Sequence, residues 1–445
     1  VFNESGRLKE DYDVEAIFFL RQFLYAAKKA SVACSDDKVS DEIVDFVSID
    51  SELPEPCGFW ALDGATSEHI QENFNGFRNS FCFVSRVALA PPHKRKQLSV
   101  FLRNLDLVSS YLVATLGSYD PIDWQFRHGP GAISEFTGPS NKYCWKNWSE
   151  RLEREFPIAD YGFHSFGSWA RSSHHLSSID SSEPYSRLVA VPKSYSRPRL
   201  IAAEPSSHQW CQQNIWHYFE KRTQDSWIDG FVRFRDQSLN QELCTLGASC
   251  GRLATVDLSA ASDRVTCEAV GQLFRSNPKL LLALQACRTR LVRQMITDKV
   301  PEYVQLRKFS TMGSACTFPV ESLLFLSITI AAVLTHRNEK VTPRAVKALR
   351  GEVAVFGDDI IIPTDSRELL FDALEVLYFK VNSSKSFWTG KFRESCGVDA
   401  FGGVNVTPAY WHAPNDGKPA SVAMTVETSN NFYKKYLLAT SDRIA

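Results

Sequence analysis

Two neighbouring carboxylates, Asp358 and Asp359, lie between two strongly apolar runs, residues 353–356 and 360–362. Gly357 precedes the carboxylates, and Pro363 closes the second run. Apolar runs of this length around a Gly-Asp pair predict two strands joined by a tight turn. Paired acids on such a turn are suited to bind Mg²⁺, a hard cation that prefers oxygen ligands. Gly-Asp turns are common, so a catalytic interpretation depends on partners elsewhere in the chain.

The composition restricts the class of protein. The chain has 445 residues, of which 44% are hydrophobic and 23% charged, as expected of a globular protein with a sizeable core. Its net charge of -1 means that any nucleic-acid site must be a local basic channel. The 11 cysteines contain no Cys-x-x-Cys pair, which favours reduced thiols in a cytoplasmic protein and argues against a zinc site.

Residues 323–334 form the longest largely apolar stretch. A bilayer requires about 20 such residues, so this stretch predicts a buried helix and no membrane association.

The hydrophobic periodicity predicts a mixed α/β protein in which acidic clusters follow strands and helices lie beside them. Ser- and Gly-rich segments at 129–141 and 163–183 predict loops. Helical patterns occur at residues 14–30, 93–116, 206–222, 266–298, 315–335 and 431–438, and strand patterns at 187–203, 252–258 and 353–362.

A second acidic segment spans residues 254–263. Asp257 follows a short apolar strand, and Asp263 lies where the chain turns towards a helix. A strand-end Asp beside a hairpin with two more carboxylates suits a two-metal site for phosphoryl transfer. The alternative for Asp257 is a helix N-cap or a surface strand end.

Residues 310–322 form a Gly-containing loop with several hydroxyls before an apolar helix. Gly313 would let the backbone approach a nucleotide closely. The hydroxyls and Glu321 are suited to contact a ribose. An ordinary helix start with Ser and Thr caps is the alternative.

Basic residues are concentrated in two further segments. Residues 187–205 carry four cations, which could cradle a triphosphate, because Arg binds phosphate in a bidentate manner and Lys acts as a point charge. Lys385, in residues 379–387, could protonate a pyrophosphate leaving group as a general acid. A solvated strand face and a surface lysine are the respective alternatives.

The order of these segments resembles the order of motifs in the palm of viral RNA-dependent polymerases. More closely, the chain resembles the replicase catalytic (beta) subunit of the single-stranded RNA bacteriophages, the group containing Q-beta and MS2. The resemblance covers residues 120–412, whereas the first hundred residues match poorly. Its motifs are Phe126 with residues 129–132, residues 191–193 with Arg199 and 204–205, 236–238 with 240–241, 257–263, 310–313 with 321–322, 356–360, 385–387 and 392–397.

This resemblance implies a function and a set of site residues. The chain would be an RNA-directed RNA polymerase that replicates a phage genome by two-metal-ion nucleotidyl transfer without a primer. The metal ligands for two Mg²⁺ ions, with Mn²⁺ as a substitute, would be Asp257, Asp358 and Asp359, and Lys385 would complete the catalytic set. The nucleotide-binding residues would be Lys193, Arg197 and Arg199 for the triphosphate, Asp263 for the ribose 2′-hydroxyl, and Gly313, Thr317 and Glu321.

The resemblance also implies a right-hand polymerase with fingers, an antiparallel palm sheet with helices, and a partial thumb. Residues 1–119 would pack on the fingers and palm, 120–249 and 273–308 would form the fingers, 250–272 and 309–390 the palm, and 391–445 the palm–thumb junction and the start of the thumb. Single-stranded RNA and ribonucleoside triphosphates would be substrates in the cytoplasm of an infected bacterium. Some members of this group work with host elongation factors Tu and Ts and a ribosomal protein.

Three other functions remain open at this stage. A reverse transcriptase shares the paired Asp on a hairpin but usually carries a bulky aromatic gate near the ribose, where this chain has Ser262 and Asp263. A catalytically silent RNA-binding protein could share the fold. A metal-dependent phosphatase or nuclease could use clustered Asp, but it would not need the basic strands and the Gly loop in this order.

Overall fold

The computed structural model describes residues 1–30, 34–77, 81–135, 142–143, 145–163, 165–172, 179–192, 197–411 and 417–444. These residues form both helices and strands, with eight α-helices before the first strand, which confirms the predicted mixed α/β class. The helices are α1 (Val14–Tyr25), α2 (Asp36–Ser51), α3 (Ser67–Phe77), α4 (Phe81–Leu89), α5 (Pro92–Leu116), α6 (Glu150–Glu155), α7 (Ile158–Tyr161), α8 (Phe166–Ser172), α9 (Ser206–Gln224), α10 (Ser238–Cys250), α11 (Cys267–Phe274), α12 (Pro278–Ala286), α13 (Thr317–His336), α14 (Pro343–Ala348), α15 (Arg367–Val376), α16 (Pro419–Tyr433) and α17 (Leu438–Ile444).

The strands of the described residues are β1 (Tyr185–Val191), β2 (Arg199–Ala203), β3 (Leu253–Val256), β4 (Leu258–Ser259), β5 (Leu291–Arg293), β6 (Tyr303–Gln305), β7 (Ala354–Phe356), β8 (Asp359–Pro363), β9 (Lys380–Val381), β10 (Phe392–Ser395), β11 (Val398–Phe401) and β12 (Val404–Asn405). These strands form four small sheets, whose orders are β3-β8-β7, β2-β1-β5-β6, β10-β11-β12 and β4-β9. The β1–β5 pair is parallel, whereas the other pairs are antiparallel.

The predicted acidic hairpin is the β7–β8 pair. Phe356 pairs with Asp359 across the turn, so Gly357 and Asp358 form the turn itself. Asp359 is therefore the first residue of β8 and does not lie at the tip. Strand β3 flanks β8 on its other side, with Val256 opposite Ile360. One further step along this register brings Asp257 beside Asp359, which joins two acidic segments about a hundred positions apart in the sequence.

Helix α13 is the centre of the core. It is apolar on all faces, as expected of a helix enclosed by protein, and it packs against α5, α11, α15 and strands β7 and β8. Among the described helices only α13 has the length and composition of a membrane span, but 94% of its apolar window is buried inside the protein. The expected buried helix is confirmed, and its bounds, Thr317–His336, lie within two residues of the helical pattern predicted at 315–335.

Several predicted element boundaries are wrong. The first helix ends at Tyr25, and the 266–298 pattern divides into α11, α12 and strand β5, because Asn277 caps a new helix whose first residue is Pro278. The segment 163–183 contains helix α8. A turn separates α16 from α17 where one helix was expected at 431–438, because Tyr436 has a positive φ. Residues 136–141 and 173–178 of the predicted loops lie outside the described residues.

Helix α2 connects the N-terminal region to the strands around the acidic hairpin. Its Ile43 and Phe46 side chains form a small core with Leu188 of β1, Leu200 of β2 and Leu306. The same helix packs beside the 3-10 turn Ser262–Arg264, which contains Asp263. The first fifty residues therefore contribute to the region where the predicted functional residues meet.

Candidate active site

One cavity of about 800 Å³ brings the predicted functional residues together. Its lining includes residues from α2, β2, the segment after β3, the start of α13, the β7–β8 turn and the segment after β9. Of the predicted catalytic and nucleotide-binding residues, the cavity is lined by Asp257, Asp358, Asp359, Lys385, Arg197, Arg199, Asp263, Gly313, Thr317 and Glu321. Lys193 lies outside the described residues.

Asp257 is held in place by the segment after β9. Its Oδ2 atom accepts a 2.7 Å hydrogen bond from the Asn382 side chain, and its backbone carbonyl accepts one from Asn382 N at 2.9 Å. The backbone N–H of Asp257 donates to Ser386 Oγ at 3.1 Å. Lys385 Nζ lies 3.8 Å from Asp257 Oδ2. These contacts fix the carboxylate at the end of β3 and place a cation beside it.

Asp359 lies in a crowded acidic environment. Its Oδ2 atom accepts a hydrogen bond from the Cys396 backbone N–H at 3.2 Å, and Ser395 Oγ lies 3.4 Å from Oδ1. Burial raises the pKa of Asp359 to about 7, and the carboxylates of Asp358 and Asp257 add to the shift. Asp358 is half-buried although it lies in the turn. The three carboxylates therefore repel one another in this cavity.

This repulsion predicts a pH-dependent stability difference for Asp359→Asn. A carboxyl group whose pKa is raised in the folded state stabilises the fold below its unfolded pKa near 4, and this stabilisation is lost as the pH rises through about 7. Without divalent cations, Asp359→Asn should raise the free energy of unfolding at pH 8 by on the order of 1–3 kcal/mol, with a smaller gain at pH 5.

Urea unfolding in EDTA at the two pH values measures this difference. Asp365→Asn is the matched control, because Asp365 lies just beyond the other end of β8 and is exposed. An equal effect of Asp359→Asn at both pH values would contradict the assigned environment.

The donor chemistry of the cavity fits a hard divalent cation. Three carboxylates face a shared space, and a cation between them would offset the repulsion that raises the pKa of Asp359. In the described part of the chain, however, no group of three His, Cys, Asp or Glu side chains is already arranged to hold a metal. The hydrogen bonds to Asn382 and Cys396 hold two of the carboxylates instead. Binding of a cation would therefore require side-chain rotation.

Glu321 and Asp263 line the same cavity but differ in their contacts. Burial raises the pKa of Glu321 well above its usual range, and the charges of Asp358 and Asp263 add to this shift. Glu321 Oε2 has no hydrogen-bond partner among the described residues. A neutral Glu321 can donate one hydrogen bond as well as accept others. Asp263, in contrast, forms a 3.0 Å ion pair with Lys308 Nζ.

The loop before α13 is built around Gly313. This residue has φ +126°, and a Cβ atom there would lie 1.9 Å from the carbonyl oxygen of Ala202 on β2. The Ala202 N–H donates to the Met312 carbonyl at 2.7 Å, which fastens the loop to the strand. The Thr317 hydroxyl donates to the Thr311 carbonyl at 2.7 Å. Gly313 thus allows close backbone packing, and Thr317 stabilises the loop from inside.

Two of the predicted basic residues of the cavity, Arg197 and Arg199, are exposed. Arg197 forms ion pairs with Glu42 at 2.9 Å and with Asp45 at 2.7 Å, both on α2. Ion pairs as exposed as these usually contribute about 1 kcal/mol or less, so an anionic ligand can replace them. Arg199 is exposed at the start of β2 and lines the same cavity.

Sequence reasoning missed several residues of this site. Asn382 belongs to a quoted motif, but nothing in the pattern indicated that it holds Asp257. Lys308, which pairs with Asp263, and the cavity-lining α2 residues Glu42, Asp45 and Phe46 lie outside all the predicted motifs, because only the folded chain brings them to the site. The acidic residues of α2 were a weak local signal for that helix, and Lys308 had none.

Comparison with known proteins supports the resemblance seen in the motifs. The family model described as RNA replicase, beta-chain, matches residues 172–426. The RNA-directed RNA polymerase beta chain of Enterobacteria phage GA is 33% identical over 232 residues, which are 52% of this chain and 40% of that protein. The corresponding protein of Escherichia phage MS2 is 34% identical over 229 residues, or 52% and 38% of the two chains.

The RNA-directed RNA polymerase subunit beta of Qbeta virus (strain MX1) is 34% identical over 229 residues, or 51% of this chain and 35% of that protein. The chain therefore matches less than half the length of these curated relatives. The family match, in contrast, covers more than half of this chain and includes the acidic hairpin, the Gly313 loop and Lys385. The chain belongs to the RNA replicase beta-chain family.

Proposed function

We propose that this chain is an RNA-directed RNA polymerase that copies a single-stranded RNA phage genome from ribonucleoside triphosphates. The observation that carries the proposal is the shared cavity, in which acidic and basic residues from distant segments face one another. A nucleoside triphosphate needs both kinds of residue, because cations neutralise its phosphates while carboxylates hold the metal that accompanies it. Family membership supports the same activity.

The proposed reaction joins the 3′-oxygen of the growing RNA to the α-phosphorus of the incoming nucleotide and breaks the bond to pyrophosphate. Asp257, Asp358 and Asp359 would hold two Mg²⁺ ions, or Mn²⁺ in their place, which when bound stabilise the attacking and leaving oxygens. Arg197, released from Glu42 and Asp45, would bind the triphosphate with Arg199, and we assign Lys193 to the same task.

Lys385 is the proposed general acid. Its ammonium lies 3.8 Å from Asp257 in a half-exposed position, so it can move towards a leaving group. Transfer of one proton from Nζ to the departing pyrophosphate would neutralise part of its charge.

Recognition of the ribose is assigned to the loop before α13 and the turn after β4. Asp263 would accept a hydrogen bond from the 2′-hydroxyl, the group that distinguishes RNA from DNA precursors. Gly313 and Thr317 would shape the wall beside the sugar, and Glu321, whose pKa is raised by burial, would supply a further hydrogen-bonding group.

The same proposal assigns the architecture of a right hand. The β3–β8–β7 sheet with α13 would be the palm, at residues 250–272 and 309–390, and residues 120–249 and 273–308 would be the fingers. Residues 1–119 would pack on both, and residues 391–445 would lead into a thumb. We place the activity in the cytoplasm of the infected bacterium, with elongation factors Tu and Ts and a ribosomal protein as candidate partners.

Incorporation of labelled nucleotides on a C-rich single-stranded RNA, with Mg²⁺ and no primer, tests the proposal. We expect a ribonucleotide product that depends on the template. A product made from deoxyribonucleotides instead would identify a reverse transcriptase. RNA binding without any product, with or without a primer, would favour a catalytically silent RNA-binding protein.

A further inference from the structure

Lys308 is a fully buried cation next to the proposed ribose site. Its side chain has no exposed surface, yet it does not itself line the cavity. Burial of an ammonium group is costly unless the charge is paired and hydrogen-bonded. The contacts that offset this cost therefore indicate what the residue does.

Three side chains surround the Lys308 ammonium. Asp263 Oδ1 lies 3.0 Å from Nζ. Asp50 Oδ1, on helix α2, lies 3.9 Å from the same nitrogen. The Phe46 ring, also on α2, has its centroid 3.4 Å from Nζ, which is within the range of a strong cation–π contact. The lysine therefore connects α2 to the turn that carries Asp263.

Asp50 also fixes the backbone on which Lys308 lies. Its two carboxylate oxygens accept hydrogen bonds from the backbone N–H groups of Arg307 and Lys308, both at 2.9 Å. The next residue, Phe309, donates its N–H to the Val265 carbonyl at 2.7 Å, just beyond the Asp263 turn. Position and side-chain direction of Lys308 are thus both determined by α2 and by the segment after Asp263.

A second ion pair from the end of α2 holds the same turn. Glu52, which follows the last residue of α2, lies 2.9 Å from Arg264, the neighbour of Asp263. Both Asp50 and Glu52 lie outside residues 172–426, the segment that the family model matches. Helix α2 and the residue after it therefore support the site from a part of the chain that the family model does not match.

We propose that Lys308, held by Asp50 and Phe46 of α2, is a positioning residue that orients Asp263 for recognition of the ribose 2′-hydroxyl. The ion pair engages Oδ1 of Asp263 and fixes the orientation of its carboxylate, and we assign the ribose hydroxyl to Oδ2. This inference rests on the role proposed above for Asp263. It makes helix α2 part of the machinery that selects ribonucleotides.

The direct test is Lys308→Met, which keeps the length of the side chain but removes its charge. The ratio of kcat/KM for GTP to kcat/KM for dGTP should fall about tenfold, because an oriented, charge-assisted hydrogen bond contributes on this scale. The value for dGTP should remain unchanged, since that substrate lacks the hydroxyl.

Lys299→Met is the matched control. Lys299 forms a 2.9 Å ion pair with Asp41 on the same helix, but both side chains are exposed and neither lines the cavity. This variant should keep the wild-type preference for GTP. Equal losses of the preference for GTP in the two lysine variants would show that any weakening of the contacts of α2 lowers this preference. That result would overturn the specific role of Lys308.

A double-mutant comparison separates positioning from general structural support. If Lys308 acts through Asp263, the double variant Lys308→Met with Asp263→Asn should have the same GTP preference as Asp263→Asn alone. A further loss in the double variant would overturn the proposal. If Lys308→Met does not fold, Phe46→Leu replaces it, because this change removes the ring under the ammonium and should lower the preference in the same direction.

Thermal unfolding with Mg²⁺ and either GTP or dGTP separates this inference from the polymerase proposal. Wild type should be stabilised more by GTP, and Lys308→Met should lose that difference. If this pattern occurs without any turnover, the polymerase proposal fails and the positioning role stands. Equal stabilisation of wild type by the two nucleotides, including none by either, would overturn the inference even where turnover is observed.

Discussion

Asp358→Asn should abolish ribonucleotide incorporation, with a loss of at least about a thousandfold, while the protein keeps its fold. Asp358 forms the turn between β7 and β8, and its charge contributes to the raised pKa of both Asp359 and Glu321. The amide keeps the size of the side chain but removes one negative charge from the proposed metal site. Because this change also relieves repulsion, the melting temperature without divalent cations should stay the same or rise.

The measurement compares template-dependent incorporation by wild type and by Asp358→Asn in Mg²⁺, together with thermal unfolding of both in EDTA. Asp365→Asn removes an exposed carboxylate beyond the far end of β8 and should leave incorporation unchanged. Mg²⁺ should raise the melting temperature of wild type more than that of Asp358→Asn. Near-normal incorporation by Asp358→Asn would contradict the assignment of this residue as a metal ligand.

Gly313→Ala should cause the largest loss of stability, about 3 kcal/mol or more, and should also abolish incorporation. A Cβ atom at this position would overlap the Ala202 carbonyl oxygen at 1.9 Å. The oxygen belongs to the backbone and the Cβ atom is bonded directly to Cα, so neither can rotate away. The overlap can be removed only if the loop moves away from β2. This movement breaks the 2.7 Å hydrogen bond from the Ala202 N–H to the Met312 carbonyl. This movement would displace the wall that we assign to the ribose.

Gly351→Ala provides the comparison for Gly313→Ala. Gly351 also has a positive φ, +84°, but a Cβ atom there would meet no other atom within 4 Å, so only backbone strain of about 1 kcal/mol is expected. Urea unfolding of the two variants and of wild type measures the difference. Similarly small losses of unfolding free energy in both variants would show that the loop can move away from β2 at little cost in stability.

The elements predicted correctly from sequence are those with strong local patterns. The acidic hairpin, the two basic strands β1 and β2, and helices α5, α9 and α13 follow from apolar periodicity and turn residues. Errors occurred where pairing with distant segments decides the structure. Strand β5 was predicted as part of a helix. It is a strand because it pairs in parallel with β1 and antiparallel with β6, and these pairings leave no signal in the local sequence of β5.

By itself, the sequence determined the family, the mixed α/β class and the chemical types of the residues at the site. Those features depend on residue identity and on spacings within short segments, where covalent geometry restricts the backbone. The tertiary structure alone decided that Asn382 holds Asp257, that Arg197 is paired with α2, and that Lys308 connects Asp50 to Asp263. These contacts join residues far apart along the chain. They form only because burial of apolar side chains places β3 and β8 in one core and packs α2 against β1 and β2 in a second.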